Sequence, residues 1–163
     1  MSNTFCIYSE DQPGVLSRVA ALIYRRGYNI ISIAAGPTEV KGVSRYTLVF
    51  DGEESTYDQV QKQLQKLAEV ISVRNLTREG NTVERYLKLI KVKAPQSSRS
   101  DIFQTAEIFR CRVVDLGSST LTLEVTGAKS KVEACIKALQ PFGIVETAGS
   151  GQVSVARSGF DEE

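Results

Sequence analysis

Hydrophobic and polar residues alternate along the chain with two periods, which predict short strands separated by amphipathic helices. In the first half, strand patterns occupy residues 4–9, 29–35, 44–50 and 70–76. A helical pattern begins at Val15 after the first strand, and Gly27 marks its end. A second helical pattern covers residues 57–67, with Ser55 as its expected N-cap. The order β-α-β-β-α-β predicts a ferredoxin-like sandwich.

The second half of the chain repeats this order without an obvious alignment of residues. Strand patterns cover 83–94, 111–116 and 120–127, and helical patterns lie within 96–109 and 132–139. A final segment, 143–157, is predicted to form one strand, or two strands around Gly149 to Gly151. The fold class is therefore α+β, with two ferredoxin-like βαββαβ sandwiches in tandem. We expect domains at residues 1–78 and 83–163 with a linker at 79–82. Domains this small are expected to leave one sheet face and one sheet edge open for a neighbour.

Composition narrows the class of protein and its surroundings. The chain has 163 residues, 42% of them hydrophobic, and a formal net charge of +1. Because no basic stripe and no long apolar run occur, we expect neither nucleic acid nor membrane as a partner. No secretory signal is recognisable, so a cytoplasmic location is expected, or a plastid if a transit peptide has been removed. Cys6, Cys111 and Cys135 lie in apolar patterns and are expected to be buried free thiols.

The chain contains no histidine. This excludes Ser–His and Cys–His nucleophile pairs and every histidine metal site, so an enzyme would have to work with carboxylates, lysines or the backbone alone. Two other functions use a ferredoxin-like fold. An acylphosphatase-like enzyme would use an arginine and an asparagine, for which Arg18 and Asn29 are candidates, but its phosphate-binding loop is missing. RNA binding would place Tyr46 and Phe50 on an open sheet face, but basic residues are sparse around them.

The segment DQPG, residues 11–14, connects the first strand to the first helix and has the chemistry of a binding site. A helix N-terminus offers unpaired backbone N–H groups that suit a carboxylate, and Gly14 lets a ligand approach them. The Asp11 carboxylate suits an ammonium group, and Asn29, before the next strand, adds donors and an acceptor. With aliphatic neighbours such as Val15, these groups indicate a site for a free aliphatic amino acid. In the alternative interpretation, Pro13 and Gly14 only form a turn and Asn29 only bonds a backbone group.

Several longer motifs resemble one protein family. The motifs DQPGVLSRV, RRGYNI and VSRYTLVF, within residues 11–50, resemble the ACT domain of the regulatory (small) subunits of acetohydroxyacid synthase, also called acetolactate synthase. The resemblance continues through VER at 83–85, SRSDIFQTAEIFRCRVVDLG at 98–117 and GSGQVSVARS at 149–158. It covers nearly the whole chain, from about Thr4 to Ser158.

This resemblance implies a non-catalytic subunit that stimulates a large catalytic subunit and makes it sensitive to valine, in the biosynthesis of branched-chain amino acids. The catalytic partner would hold thiamine diphosphate, FAD and magnesium, and this chain would hold no cofactor. The first domain would be an ACT domain that forms a homodimer and binds valine between two chains, with Asn29 supplied by the partner chain. Bacterial members usually have Asn where this chain has Asp11. A free-standing amino-acid sensor acting on another target is the alternative. The effector-binding residues that the resemblance implies are Asp11, Gln12, Pro13, Gly14, Val15, Leu16, Asn29 and Ile30.

Overall fold

A computed structural model describes residues 2–157, without the side chains of Ser2 and of residues 54–56. The chain forms two compact units. Of the described residues, the first unit contains those up to Val83 and those from Gln152 to Arg157, and the second unit contains Glu84–Gly151. Residues 152–157 therefore belong to the first unit, although the domain division expected from the sequence placed them in the second. The linker at 79–82 stays a prediction.

The first unit contains a four-stranded antiparallel sheet with helices on one face. The strands follow the order β2-β3-β1-β4, so β2 and β4 form its edges. The helix predicted at 57–67 spans Glu54–Leu64 instead. Its N-cap is Glu53, which has an extended backbone, and not the predicted Ser55. The elements are β1 (Ser2–Glu10), α1 (Val15–Arg25), β2 (Ile30–Pro37), β3 (Val43–Asp51), α2 (Glu54–Leu64), β4 (Val70–Asn75) and the single turn α3 (Leu76–Glu79).

The second unit is built around another four-stranded sheet, in the order β6-β7-β5-β8. Both sandwiches predicted from the sequence are thus confirmed. The final segment forms one long strand, so the alternative with two strands around Gly149 to Gly151 is wrong. The elements are β5 (Thr82–Lys93), α4 (Arg99–Ile108), β6 (Arg112–Leu116), β7 (Thr120–Gly127), α5 (Lys129–Leu139) and β8 (Ile144–Ala156), with short 3₁₀ turns at Gln96–Ser98 and Gln140–Phe142.

Each unit has its own hydrophobic core between the helices and one face of the sheet. In the first unit, Phe5 stacks on Phe50 with ring centroids 5.3 Å apart, and the Tyr57 ring meets Phe50 edge-on. Tyr46 and Phe50 are both buried in this core. They are therefore not available to stack on bases, and the RNA-binding alternative is wrong. In the second unit, the alternating residues of β7 (Leu121, Leu123 and Val125) pack on α4 and α5.

The central part of the other face of the first sheet is covered, contrary to the expectation of an open face. Thr4 and Cys6 of β1 lie on this face and are buried. The residues that cover it belong to the end of β8, at 152–156, here named the covering segment. Its Gln152 side-chain amide donates to Thr4 Oγ1 at 3.1 Å, and its Gln152 backbone N–H donates to Ser32 Oγ at 2.9 Å. The covering segment of the same chain therefore packs on the sheet face where a neighbouring protein was expected.

Arg45 of β3 donates hydrogen bonds both to the covering segment and to residues of the sheet. Its Nε donates to the Tyr8 hydroxyl and its Nη1 to Thr47 Oγ1, both at 3.2 Å, and its Nη2 donates to the Ser154 carbonyl. The guanidinium carbon lies 5.7 Å from the centre of the Tyr8 ring. Burial on the same face raises the pKa of the Cys6 thiol. Arg45 therefore supplies the charged donor that satisfies polar groups of an otherwise buried layer.

Replacing Arg45 by methionine is expected to lower the free energy of unfolding by about 1.5–3 kcal/mol, because buried hydrogen bonds from a charged donor are lost. Urea unfolding followed by circular dichroism measures the change. Arg25→Met is the matched control, because Arg25 lies exposed on α1. Equal unfolding midpoints for the two variants would show that the covering segment contributes little to stability.

Candidate functional site

The loop at residues 11–14 lies where β1 ends and is fastened to the start of β3. The Asp11 backbone N–H donates to the Gly42 carbonyl at 2.8 Å. The Ser44 hydroxyl donates to Asp11 Oδ1 at 3.0 Å, which orients the carboxylate. The Gln12 side-chain amide donates to Glu10 Oε2 at 2.7 Å. All four loop residues are exposed, so the oriented Asp11 carboxylate faces a surface that a ligand can reach.

Gly14 ends this loop and opens α1 in a left-handed backbone conformation, with φ +87°. A Cβ at this position would meet nothing closer than Arg18 Nη2 at 3.8 Å, which is an ordinary contact. The backbone conformation, rather than crowding, therefore favours glycine here.

The N-terminus of α1 has no side-chain cap and no acidic residue in its first turn. The first backbone bond of the helix runs from the Arg18 N–H to the Gly14 carbonyl at 3.1 Å. The N–H groups of Val15, Leu16 and Ser17 precede that bond, and in the part of the chain that the structure describes no group accepts from them. Unpaired N–H groups and the positive end of the helix dipole together suit an anion such as a carboxylate.

Arg18, one turn into α1, is engaged with Glu69, with which it forms an ion pair. The acylphosphatase-like alternative needs Arg18 close to Asn29. Arg18 contacts Glu69, which lies beside the end of β1, whereas Asn29 lies beside Asp51 at the opposite end of the first sheet. That alternative is therefore wrong.

Asn29 lies exposed directly before β2. Its backbone carbonyl accepts from the Asp51 N–H at 3.2 Å. Its side chain has no hydrogen-bond partner among residues 2–157, so the interpretation that this amide only bonds a backbone group is wrong. The next residue, Ile30, is partly buried and packs on the core of the first unit. The Asn29 amide is thus free to bind something outside its own fold.

The structure does not bring the loop and Asn29 together within one chain. The loop adjoins the start of β3, where Glu10 pairs with Val43. Ile30 pairs with Phe50, close to the end of β3. Since a strand rises about 3.3 Å per residue, these two positions on β3 are about 20 Å apart. A single chain therefore offers two separated half-sites: Asp11 to Leu16 at one end of the sheet, and Asn29 with Ile30 at the other.

Sequence reasoning missed Ser44, which orients Asp11 from 33 positions away along the chain. Only the strand register, in which Ser44 lies opposite Ser9, brings this hydroxyl to the loop. No pattern near Asp11 signals that contact. Among the described residues, no group of three or more Cys, Asp or Glu side chains lies close enough to hold a metal ion. The same part of the chain contains no helix that is long and apolar enough to span a membrane.

Comparison with known proteins agrees with this architecture. A family model for the small subunit of acetolactate synthase matches residues 85–158, and a model for the ACT domain of such subunits matches residues 5–72. The acetolactate synthase small subunit of Mycolicibacterium smegmatis is 46% identical over 156 residues, which are 96% of this chain and 91% of that protein. A probable acetolactate synthase small subunit of Archaeoglobus fulgidus is 43% identical over 157 residues, which are 96% of this chain and 98% of that protein.

A solved structure extends the agreement to three dimensions. The crystal structure of the acetolactate synthase small subunit of Thermotoga maritima superposes with a TM-score of 0.88 at 38% sequence identity, covering 96% of this chain and 98% of that one. The similarity thus covers both sandwiches and 96% of the chain. This chain belongs to the family of acetolactate synthase small subunits.

Proposed function

We propose that this chain is a regulatory subunit that stimulates the large catalytic subunit of acetolactate synthase and makes it sensitive to valine. The observation that carries the proposal is the exposed, uncapped N-terminus of α1 at Gly14, beside the oriented carboxylate of Asp11. The names of the relatives support a large catalytic subunit as the partner. The large subunit would hold thiamine diphosphate, FAD and magnesium, and this chain would bind only the effector. We propose that both act in the cytoplasm.

Both charged groups of a free amino acid have a counterpart in the loop half-site. The carboxylate of valine would accept from the N–H groups of Val15 and Leu16. Its ammonium would donate to Asp11, whose other oxygen stays on Ser44. Because Gly14 has no side chain, the carboxylate can approach the backbone closely. Gln12 and Pro13 would shape the rim of this half-site.

A second chain would complete the site. β2 is an edge strand of the first sheet, so its outer side can pair with another strand. In a two-fold homodimer, two β2 strands would pair antiparallel, and the start of one would lie beside the end of the other. Since Pro37 at the end of β2 pairs with Ser44, that end lies close to the loop. Asn29 and Ile30 of one chain would thus face Asp11 to Leu16 of its partner.

A site shared between two chains gives feedback a physical basis. A ligand at 100 times its dissociation constant stabilises the state that binds it by about 2.7 kcal/mol, provided that the other state does not bind. Such a shift is large enough to move a two-state regulator. Valine would therefore favour one arrangement of the paired sheets, which the catalytic subunit would respond to.

The test is acetolactate formation by the cognate large subunit, with and without this chain, across a valine titration. We expect the chain to raise the rate and valine to lower it again. Valine binding by calorimetry without any effect on the rate would favour a free-standing sensor with another target. Absence of both effects would refute the proposal.

A further inference from the structure

Two of the three cysteines meet in the second unit. Cys111 lies directly before β6, and Cys135 lies in the middle of α5. Their Sγ atoms are 3.5 Å apart. A disulfide bond is about 2.05 Å long, so the sulfur atoms would have to approach by about 1.5 Å. The third cysteine, Cys6, is buried in the first unit and is not part of this pair.

The surroundings of Cys111 allow both access and movement. Cys111 is only partly buried, contrary to the sequence-based expectation, whereas Cys135 is buried. Cys111 leads into β6, which is an edge strand bonded to β7 alone and exposed at each of its five residues. An edge strand can shift toward α5 with less disturbance than a central one. An oxidant can therefore reach Cys111, and the buried Cys135 lies within contact distance of it.

The two thiols differ in exposure, and the hydrogen bond between them shifts their pKa values in opposite directions. The hydrogen bond with Cys135 lowers the pKa of the Cys111 thiol; burial raises this pKa, and the positive charge of Lys131 lowers it. The same bond, together with burial, raises the pKa of Cys135. Because Cys111 is the more exposed thiol and Cys135 is buried, Cys111 is the sulfur that meets the oxidant first, and Cys135 reacts second.

We propose that Cys111 and Cys135 form a redox-modifiable pair that closes to an intramolecular disulfide on exposure to hydrogen peroxide. The Cys111 thiolate attacks one peroxide oxygen, the O–O bond breaks, and the departing hydroxide takes up a proton to become water. The resulting sulfenic acid is attacked by the Cys135 sulfur, which loses its proton. The S–S bond forms, the S–O bond breaks, and a second water leaves. Two thiols are oxidised by two electrons, and one peroxide is reduced to two waters.

The test uses the full chain under native conditions, treated with hydrogen peroxide and then denatured for thiol counting. We expect the free thiols to fall from three to one, with a mass loss of two hydrogen atoms and a peptide joining residues 111 and 135. Dithiothreitol should restore all three thiols. An unchanged thiol count, or a disulfide between two chains in place of the internal one, would overturn the proposal.

Single substitutions separate the two steps. Cys6→Ser is the matched control and should leave the reaction intact. Cys135→Ser should stop it at the sulfenic acid of Cys111, which dimedone traps, and Cys111→Ser should leave Cys135 unreacted. Circular dichroism shows whether each variant is folded, and Cys135→Ala replaces Cys135→Ser if the hydroxyl disturbs the core. Dimedone labelling of Cys6 instead of Cys111 in a folded variant would contradict the assigned roles. Because the cysteine pair lies in the second unit and the proposed valine site in the first, neither result decides the other.

Discussion

Gly14→Asp is expected to reduce the affinity for valine by about 100-fold or more. The new carboxylate would lie beside the N–H groups that the ligand carboxylate needs, and two like charges about 4 Å apart repel by about 4 kcal/mol at an effective dielectric constant of 20. The variant should still fold, because aspartate is a favoured N-cap and tolerates the left-handed conformation. Isothermal titration calorimetry of the full chain with valine measures the loss.

Gly14→Asn is the matched control for this variant. It has nearly the same size and meets the same backbone conformation, but it adds no charge. We expect a loss of about tenfold or less, because the side chain partly obstructs the approach of the ligand to the backbone. Equal losses for the two variants would show that shape, and not charge, governs binding. Unchanged affinity in Gly14→Asp would show that the carboxylate of valine does not bind at α1.

The sequence predicts the fold well where burial follows a simple period. In β7, Leu121, Leu123 and Val125 face the core and the residues between them do not, so alternation alone assigns the strand and its buried face. Helix α1 is equally clear, because its buried residues recur every three or four positions. Such segments need no information from distant parts of the chain.

The covering segment could not be predicted in the same way. Gln152 and Ser154 are polar, and a strand pattern assigns polar residues to the solvent, yet both are buried. Their burial depends on hydrogen bonds to Thr4 and Arg45, which lie more than 100 positions away. The periodicity of a strand contains no information about such partners.

The loop at residues 11–14 shows the same limit. Pro13 and Gly14 before an apolar helical pattern are sufficient to predict a helix N-terminus open to an anion. The separation of this loop from Asn29 is a property of the sheet, since α1 returns the chain to the opposite end before β2 begins. Local sequence chemistry groups these residues in one site, whereas the strand register places them at opposite ends of the first sheet of a single chain.

Asn29→Ala is expected to abolish inhibition by valine while leaving the stimulation of the catalytic subunit intact. The Asn29 side chain is exposed and, in the described part of the chain, unbonded, so its loss should change the free energy of unfolding by no more than about 0.5 kcal/mol. Acetolactate formation across a valine titration gives the inhibition, and a thermal melt gives the stability. Loss of stimulation as well would assign Asn29 a structural role in the complex.

Mixing the two variants tests whether one binding site is built from two chains. Gly14→Asp damages the loop half-site and Asn29→Ala damages the other, so neither homodimer has an intact site. In a mixed dimer, the unaltered loop of the Asn29→Ala chain faces the unaltered Asn29 of the Gly14→Asp chain. Random exchange of subunits at equal amounts should therefore restore valine binding to about a quarter of all sites. If each site lay within one chain, every chain would keep its own damaged residue and mixing would restore nothing. Only a shared site explains recovery from two inactive proteins.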